Sequence, residues 1–579
     1  MSSLILVLVG LAMMAAGYLL YSKFLGKKVY QLSDAYSTPA HTMEDGVDYV
    51  PTNKYVLWGH HFTSVAGAAP IIVPAVAVIW GWVPAFLWVT LGTVFFAGMH
   101  DMGALWASQR HRGHSIGTLS GRYVGARGRN LFLIVIFLLL LMVNTAFAVV
   151  ISNLLISTPT AVIPTWGAIL VALLIGQAIY RLNWNLPLVS FVGVAALYGL
   201  MILGDRMPLA LPEVMLGIPD RGWWIIFLFL YAFIASLLPV WVLLQPRDYI
   251  NGLQLFVGLI ILYGSFFIVR PEVVAPTLRD TVPDGTPGIF PLLFVTIACG
   301  AISGFHGIVS SGTSSKQIDK ETDVRFVGYF GAVGEGLLAL GTIVATTAGF
   351  NTITDWENIY SEWNAGGVDA FIQGGGALMN EGLGIPQSLS GTILATMAVL
   401  FAATTMDSGI RLQRFVVTEI GDLMGFKLSG LIATIIAVGC ALGLTFSMGI
   451  DGSGGMLIWP LFGTTNQLMA GLTLSIVAIM LTKLRRPSWP VLVPLVFVTV
   501  MSLWAAVLQV RTFYNSGNWL LLVLDVIIIC CAIWVIAEAF TAISKARREP
   551  AVVWRDDETM PGEHTATAAD ADAADARAL

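Results

Sequence analysis

Long apolar runs separated by short polar segments make up most of the chain up to residue 543. A helix that crosses the hydrocarbon core of a membrane needs about 20 mostly apolar residues. On that criterion the pattern predicts about 15 transmembrane helices. Their expected bounds are 2–22, 53–80, 82–106, 131–156, 161–180, 187–204, 222–244, 253–270, 289–313, 326–348, 388–406, 428–448, 455–481, 489–509 and 518–543. We therefore expect an all-α polytopic membrane protein.

Composition favours the same class. Of the 579 residues, 56% are hydrophobic and 11% are charged, whereas a soluble domain has about 25% charged residues. No basic stripe of the kind that binds nucleic acid runs along any predicted helix. The cysteines lie in apolar runs without metal-ligand spacing, at Cys299, Cys440, Cys530 and Cys531. They indicate embedded core residues rather than disulfides or a metal site, and no pattern indicates a cofactor.

The lysines and arginines predict the orientation, because cytoplasmic loops of membrane proteins are enriched in them. If the lysines of 23–28 are placed inside, few of the 30 basic residues fall outside. The outside residues are then Arg206, Arg221, Arg270, Arg279 and Arg511. This predicts a cell inner membrane protein with its N-terminus outside and its C-terminus in the cytoplasm. The Ala- and Asp-rich segment 549–579 is expected to be a disordered cytoplasmic tail.

Two of the predicted spans are poor continuous helices. Segment 58–70 reads WGHHFTSVAGAAP, and segment 299–315 reads CGAISGFHGIVSSGTSS. Glycine and proline disfavour a helix interior, and non-helical backbone at membrane depth is tolerated only where it is buried in protein or lines a cavity. Close packing of small residues between helices would give a similar pattern. The histidines and hydroxyls shared by both segments favour cavity lining.

The positions of the two breaks predict an inverted repeat. A first unit of five spans, 53–204, starts inside, and a second unit of five, 289–481, starts outside. Each begins with its interrupted helix, as inverted-topology transporters do, with the site near the bilayer midplane. The remaining parts are an N-terminal extra helix (1–28), a linking helix pair (222–270) and a C-terminal helix pair (489–543).

Several short motifs carry a family resemblance. They are 45–54 (DGVDYVPTNK), 59–62 (GHHF), 98–101 (GMHD), 245–249 (QPRDY), 303–306 (SGFH), 310–317 (SSGTSSKQ), 404–409 (TTMDSG) and 459–467 (WPLFGTTNQ). Together they resemble the carbon starvation protein A (CstA) family. The resemblance implies uptake of peptides or pyruvate, driven by a cation gradient. It also implies a LeuT-like fold with inverted five-helix repeats and broken first helices.

Candidate substrate-binding residues lie in and beside the two breaks. Backbone N–H groups freed at half-helix N-termini bind anions such as carboxylates, and we expect them around Ala68 and Gly307. Imidazoles and hydroxyls can add donors, although membrane Ser and Thr often bond only their own helix. The full candidate set is His60, His61, Thr63, Ser64, Gly67, Ala68, Ser303, Gly304, Phe305, His306, Gly307, Ser310, Ser311 and Thr313.

Candidate ion-coupling residues are membrane-embedded acids, histidines and hydroxyls. Intramembrane ionisable groups are costly and usually functional. The candidates are Glu335, His100, Asp101, Thr404, Thr405 and Asp407. The resemblance to LeuT-like carriers implies a sodium position between 53–80 and 388–406, where Thr404 and Thr405 would supply hydroxyls. Proton coupling through a histidine or Glu335 is equally compatible and is slightly preferred.

These observations predict a secondary transporter that imports peptides or pyruvate by alternating access, coupled to a proton or sodium gradient. No Walker-type phosphate-binding motif is present, so ATP-driven transport within this chain is not expected. A transporter-like nutrient sensor that signals through a partner protein is the alternative. A membrane enzyme is a third class, with only His100, Asp101, His111 and His114 as a hint of chemistry. The oligomeric state is left open.

Overall fold

A computed structural model describes residues 2–550 except 298–299, 364–365, 448 and 453. The chain is mostly helical (77%). Cys299 in the second predicted break, and all but the first two residues of the predicted tail, lie outside the described residues.

The helices up to residue 269 are α1 (Ser3–Val29), α2 (Lys54–Ala66), α3 (Ala69–Trp80), α4 (Trp82–Gln109), α5 (Ile116–Tyr123), α6 (Ala126–Ser157), α7 (Pro159–Ile179), α8 (Leu186–Arg206), α9 (Asp220–Leu237) and α10 (Leu244–Val269). A single turn, Pro39–Thr42, precedes α2. Two short antiparallel strands, β1 (Val214–Met215) and β2 (Ile218–Pro219), lie between α8 and α9.

The helices of the second half are α11 (Ile289–Thr296), α12 (Gly304–Gly312), α13 (Arg325–Ala348), α14 (Ile353–Ile359), α15 (Gly367–Leu383), α16 (Gln387–Leu423), α17 (Gly430–Phe446), α18 (Trp459–Lys483), α19 (Trp489–Asn515) and α20 (Trp519–Arg548). A turn of helix, Gly454–Leu457, precedes α18.

Most of the predicted spans are confirmed as long apolar helices. In the described part of the chain, 12 helices are long and apolar enough to cross a membrane, and the bent pair α2–α3 makes a further candidate. The predicted span 289–313 is instead the two short helices α11 and α12. Predicted span 428–448 corresponds to α17, which has 17 residues. The chain is therefore a multi-pass membrane protein, although length alone does not reach the expected count.

Burial separates central from peripheral helices. The most apolar stretch of α18 is 100% buried in the protein, and that of α13 is 89% buried, whereas α8 reaches only 22%. Large apolar side chains on α7 and α8 are exposed, for example Leu174 at 72% and Phe191 at 74%. The exposed surfaces of α7 and α8 suit contact with lipid. The nearly complete burial of α13 and α18 places these two helices at the centre of the bundle.

Both predicted helix breaks are present. Helix α2 ends at Gly67, whose φ of +56° suits glycine, and α3 continues at an angle of 43° to α2. A Cβ at Gly67 would lie 2.7 Å from Thr405 Oγ1. In the second break, Gly300 has a φ of +96°, and Ser303 is extended immediately before α12. Each break thus occurs where a glycine adopts a backbone conformation that other residues avoid.

The long helices pack in matched pairs around the breaks. Helix α10 packs along α2, and α18 packs along α12. Helix α6 lies against α16, and α4 lies against α13. Helices α9 and α17 each contact both α6 and α16.

The segment 349–387, which lies between the predicted spans 326–348 and 388–406, contains α14 and α15. Helix α15 packs against α3, α10, α13 and α16, with Phe371 and Met379 buried. The hydropathy pattern did not predict α15, because its glycines lower both the apolar content and the helix propensity of the segment. The same glycines permit close packing: Gly374 is so near Ala345 that a Cβ would lie 2.1 Å from its carbonyl oxygen.

Candidate functional site

All substrate-binding and ion-coupling candidates named from the sequence are buried. The structure distributes them over two polar clusters, one beside each helix break. The first cluster joins α2, α9, α10 and α16. The second joins α4, α12 and α13.

The second cluster is a chain of imidazoles and carboxylates. Asp101 on α4 lies between two histidines: its Oδ2 is 2.9 Å from His306 Nδ1, and its Oδ1 is 2.9 Å from His100 Nδ1. His306 Nε2 is in turn 3.3 Å from Glu335 Oε2 on α13. All four side chains are fully buried. Because each carboxylate contacts a histidine, the cluster can hold and redistribute protons with little movement.

The first cluster centres on an aspartate that carried no predicted role. Asp248 Oδ2 on α10 is 2.7 Å from His60 Nδ1 and accepts from Ser64 Oγ at 3.2 Å. Its Oδ1 accepts from Arg247 Nη2 at 2.7 Å, and Arg247 Nη1 contacts Asp407 on α16. Arg247 and Asp248 are adjacent buried charges in the motif 245–249 at the start of α10, and that pair of charges beside an apolar span is the signal that would have identified them.

The two adjacent histidines of α2 diverge, as a rotation of about 100° per residue requires. His60 contacts Asp248, while His61 Nδ1 is 2.9 Å from Ser314 Oγ. The Nε2 atoms of His60, His61 and His100 are buried without a hydrogen-bond partner in the part of the chain that the structure describes. Buried polar atoms are normally satisfied, so these three nitrogens mark places where a guest molecule or water can bind.

The hydroxyls of α16 meet the first break. Thr404 Oγ1 donates to the Thr63 carbonyl at 3.0 Å, and Thr405 Oγ1 donates to the Ser64 carbonyl at 3.3 Å. Ser408 Oγ donates to Ser64 Oγ at 3.2 Å. Thr404 and Thr405 therefore contact α2, as the sequence predicted. Their hydroxyls bond the same carbonyls that a cation would need.

At the second break, the helix N-terminus lies earlier than Gly307. Helix α12 begins at Gly304, and Gly307 lies within it because Ser303 is the extended residue before the helix. Asn466 on α18 accepts from the Phe305 N–H at 2.8 Å and from Ser303 Oγ at 3.1 Å. Asn466 was missed, although it stands in the motif 459–467. The helix N-terminus thus lies three residues before Gly307, and anion binding by its amides stays a prediction.

Several candidate hydroxyls serve their own helices. Thr63 donates to the Gly59 carbonyl, Ser311 to Gly307 and Thr313 to Val309, all at 3.0 Å or less. This is the structural role common for membrane Ser and Thr. Ser310 differs, since its buried Oγ has no hydrogen-bond partner within the described residues.

The histidines near the end of α4 do not form a site with His100. His111 Nδ1 is 2.7 Å from the Ala107 carbonyl, and its Nε2 is 2.8 Å from the Tyr123 hydroxyl. Both ring nitrogens are therefore engaged. Among the described residues, no group of three or more His, Cys, Asp or Glu side chains is arranged to hold a metal ion.

Sequence comparison identifies the family. The model of the carbon starvation protein CstA family matches residues 2–354 and 348–505. The chain belongs to the CstA family. The Campylobacter jejuni protein named "Peptide transporter CstA" is 32% identical to it, over 89% of this chain and 81% of that protein. The Escherichia coli K12 protein named "Pyruvate/proton symporter BtsT" is 29% identical, over 87% and 81% of the two chains.

Another member agrees with this assignment, and a solved structure shares the fold. The Bacillus subtilis "Peptide transporter CstA" is 28% identical over 97% of this chain and all of that protein. Among solved structures, the manganese transporter of Eremococcus coleocola superposes with a TM-score of 0.50 at 13% identity, covering 87% of this chain and 99% of that one. That likeness concerns the fold alone. The family relatives are named as transporters, consistent with a protein that is not an enzyme.

Proposed function

We propose that this CstA-family chain is a secondary active transporter that imports a peptide or pyruvate by alternating access. The observation that carries the proposal is the pair of broken helices, each beside a fully buried cluster of ionisable side chains. Discontinuous helices at the middle of a bilayer are the usual substrate and ion sites of secondary transporters. We place the chain in the inner membrane, with its C-terminus in the cytoplasm.

The helix packing supports inverted repeats with bounds different from those expected. The pairs α2–α10 and α12–α18 are equivalent, and α9 and α17 occupy equivalent positions against α6 and α16. We propose that the first repeat runs over 54–269, with the α7–α8 hairpin inserted, and that the second runs over 289–483. The linking pair 222–270 then belongs to the first repeat, in place of 161–204. This LeuT-like arrangement has 15 crossings when α11–α12 and α17 are included.

The substrate is proposed to bind between the breaks through its carboxylate, a group common to peptides and pyruvate. His60, His61 and His100 each present a buried Nε2 that lacks a partner among the described residues, and Ser310 presents a hydroxyl. An imidazole N–H donates to a carboxylate in a charge-assisted hydrogen bond, which is about twice as strong as a neutral one. Because Nδ1 of His60 and of His100 faces an aspartate, their Nε2 atoms donate to an anionic guest when the rings are doubly protonated.

Proton coupling is proposed through Asp101, His306 and Glu335. Neighbouring members of this cluster lie within 3.3 Å of each other: Asp101 is next to His306, and His306 is next to Glu335. His306 lies in the second broken helix. At the first break, Thr404 and Thr405 donate to the carbonyls that a sodium ion would use. Arg247 also places a fixed positive charge beside Asp248 and Asp407.

Transport by the purified protein in liposomes tests the proposal. Labelled pyruvate and labelled dipeptides are offered under an imposed proton gradient, an imposed sodium gradient or neither. We expect accumulation of at least one of these substrates with the proton gradient and none with sodium alone. Sodium-driven accumulation would contradict the assigned coupling. Absence of accumulation under every gradient would refute transport and favour the sensor.

A further inference from the structure

Helices α4 and α13 both contain a π-helical turn shortly before the residues that they contribute to the second cluster. The turn in α4 covers Thr93–Ala97, and the one in α13 covers Arg325–Phe330. Backbone hydrogen bonds in such a turn span five residues instead of four, and these turns are frequent at functional sites. Because each residue of a helix rotates the side-chain direction by about 100°, the extra residue determines where Asp101 and Glu335 point.

Tyr329 joins the two π-helical turns. It lies in the turn of α13, is fully buried, and its hydroxyl donates to the Val94 carbonyl in the turn of α4 at 2.7 Å. Its ring fills the space beside Gly98, where an added Cβ would lie 2.7 Å from the ring. An added Cβ at Gly17 of α1 would lie 2.9 Å from the hydroxyl oxygen of Tyr329. These close contacts leave α4 little freedom to move along α13.

Thr93 joins the same turn of α4 to the second helix break. Its Oγ1 donates to the Gly300 carbonyl at 2.9 Å, and the side chain is fully buried. An added Cβ at Gly336 would collide with Thr93 Oγ1, so Thr93 also packs against the residue that follows Glu335. One side chain thus contacts the backbone beside Glu335 and the backbone that leads into α12, the helix that carries His306.

We propose that Thr93 and Tyr329 are positioning residues for proton coupling. Their hydroxyls hold α4, α13 and the second break in the arrangement that the second cluster requires. The contact most sensitive to a displacement is the one from His306 to Glu335, because its 3.3 Å is close to the distance beyond which a hydrogen bond is not formed. The role in coupling rests on the proposed function, whereas the surroundings of Glu335 can be measured without transport.

Infrared spectroscopy of the purified full-length chain measures the protonation of Glu335. The carbonyl stretch of its protonated carboxyl group is identified by its absence in Glu335→Gln and is followed as the pH is varied. In Thr93→Val and in Tyr329→Phe, the pH of half-protonation should move by at least about one unit, since a charge-assisted hydrogen bond is weakened. Thr93→Ser keeps the hydroxyl and should titrate as the unaltered chain does.

Two matched controls remove comparable hydroxyls elsewhere. Thr434→Val alters a buried threonine of α17 that donates to its own helix. Tyr198→Phe removes a hydroxyl that donates from α8 to a backbone carbonyl of α10. Both controls should leave the titration of Glu335 unchanged. An unchanged titration in both Thr93→Val and Tyr329→Phe, or an equal shift in the controls, would overturn the proposal.

A combined variant tests the role in coupling. Thr93→Val should lower proton-driven accumulation in liposomes at least about fivefold, while exchange of labelled for unlabelled substrate persists. In combination with Glu335→Gln it should cause no further loss, because substitutions that act through one contact are not additive. A full additional loss in the double variant would assign Thr93 a separate structural role and overturn the positioning role.

Two results distinguish the positioning role from the proposed function. A shifted titration of Glu335 in Thr93→Val and Tyr329→Phe, without accumulation of any substrate by the unaltered chain, would support the positioning role and refute transport. Proton-driven accumulation together with an unchanged titration in both variants would leave the transporter intact and overturn the positioning role.

Discussion

At the scale of single residues, the chain places unusually many ionisable groups where they are costly. Asp101, His306 and Glu335 form one buried group, and Arg247 with Asp248 lies in another. Breaking one partner from a buried ion pair costs about 3–5 kcal/mol. Such groups are retained in a membrane interior mainly where they carry ions or substrate. The functional hypotheses therefore concern a few side chains.

Removing the carboxylate of Glu335 should uncouple transport from the proton gradient. In Glu335→Gln, proton-driven accumulation is expected to fall about 5–150-fold, which is the factor that corresponds to a coupling free energy of about 1–3 kcal/mol. Exchange of labelled for unlabelled substrate across the liposome membrane should persist, because it needs no net proton movement. Asp525→Asn is the matched control, since Asp525 is a buried carboxylate in α20 outside both clusters. Undiminished accumulation by Glu335→Gln would exclude Glu335 from coupling.

Neutralising Arg247 alone should destabilise the fold more than neutralising Arg247 and Asp407 together. Arg247→Met leaves Asp248 and Asp407 without their cation, at a cost of about 3–5 kcal/mol. Arg247→Met combined with Asp407→Asn removes one of the stranded charges and should recover part of that loss. Thermal unfolding followed by size-exclusion chromatography measures both. A double variant no more stable than Arg247→Met would show that the Arg247–Asp407 contact contributes little.

At the scale of elements, the breaks depend on glycine backbone and on neighbouring helices. Gly67 ends α2 with positive φ against Thr405, and Gly300 adopts positive φ before α12. After each break the next helix begins, and α10, α16 and α18 pack against the interrupted segments. Hydropathy predicts where such helices are interrupted but does not predict which partner caps them.

Substituting Gly67 should impair both folding and transport. Gly67→Ala introduces a Cβ 2.7 Å from Thr405 Oγ1 at a φ of +56° and a ψ of −160°, a region that is essentially restricted to glycine, and is expected to cost about 1–3 kcal/mol of stability. Gly443→Ala in α17 is the control: nothing lies within 4 Å of its added Cβ, and a helix interior gains up to about 1 kcal/mol from that change. Thermal unfolding and liposome uptake test the pair. Equal behaviour of both variants would show that the break tolerates a side chain.

At the scale of the whole molecule, the basic residues and the helix order together define a topology. The segment with α14 and α15 is predicted to lie outside, and the end of α16 inside. In the proposed topology the α7–α8 hairpin crosses the membrane twice, which would leave the direction of the following helices unchanged. Orientation is therefore the property that a cellular experiment tests most directly.

Cysteine labelling in whole cells should confirm this orientation. In a background without native cysteines, Glu357→Cys in α14 is expected to react with a membrane-impermeant maleimide in intact cells. Asp422→Cys at the end of α16 should react only after permeabilisation. Both positions are exposed, so accessibility to reagent differs only by the membrane side. The reverse pattern would invert the topology and exchange the two sides of the proposed transport path.

The sequence by itself determined the membrane class and the positions of both breaks, because these depend on local composition and on glycine and histidine in an apolar run. Its motifs carried the family resemblance. It also identified Asp101, His306 and Glu335 as ionisable groups at costly depth. Only the tertiary structure decided that these three side chains form one buried cluster and that Asp248 pairs with His60. It likewise revealed α15 and Asn466. Contacts between helices far apart in sequence depend on packing, which hydropathy and charge counts do not encode.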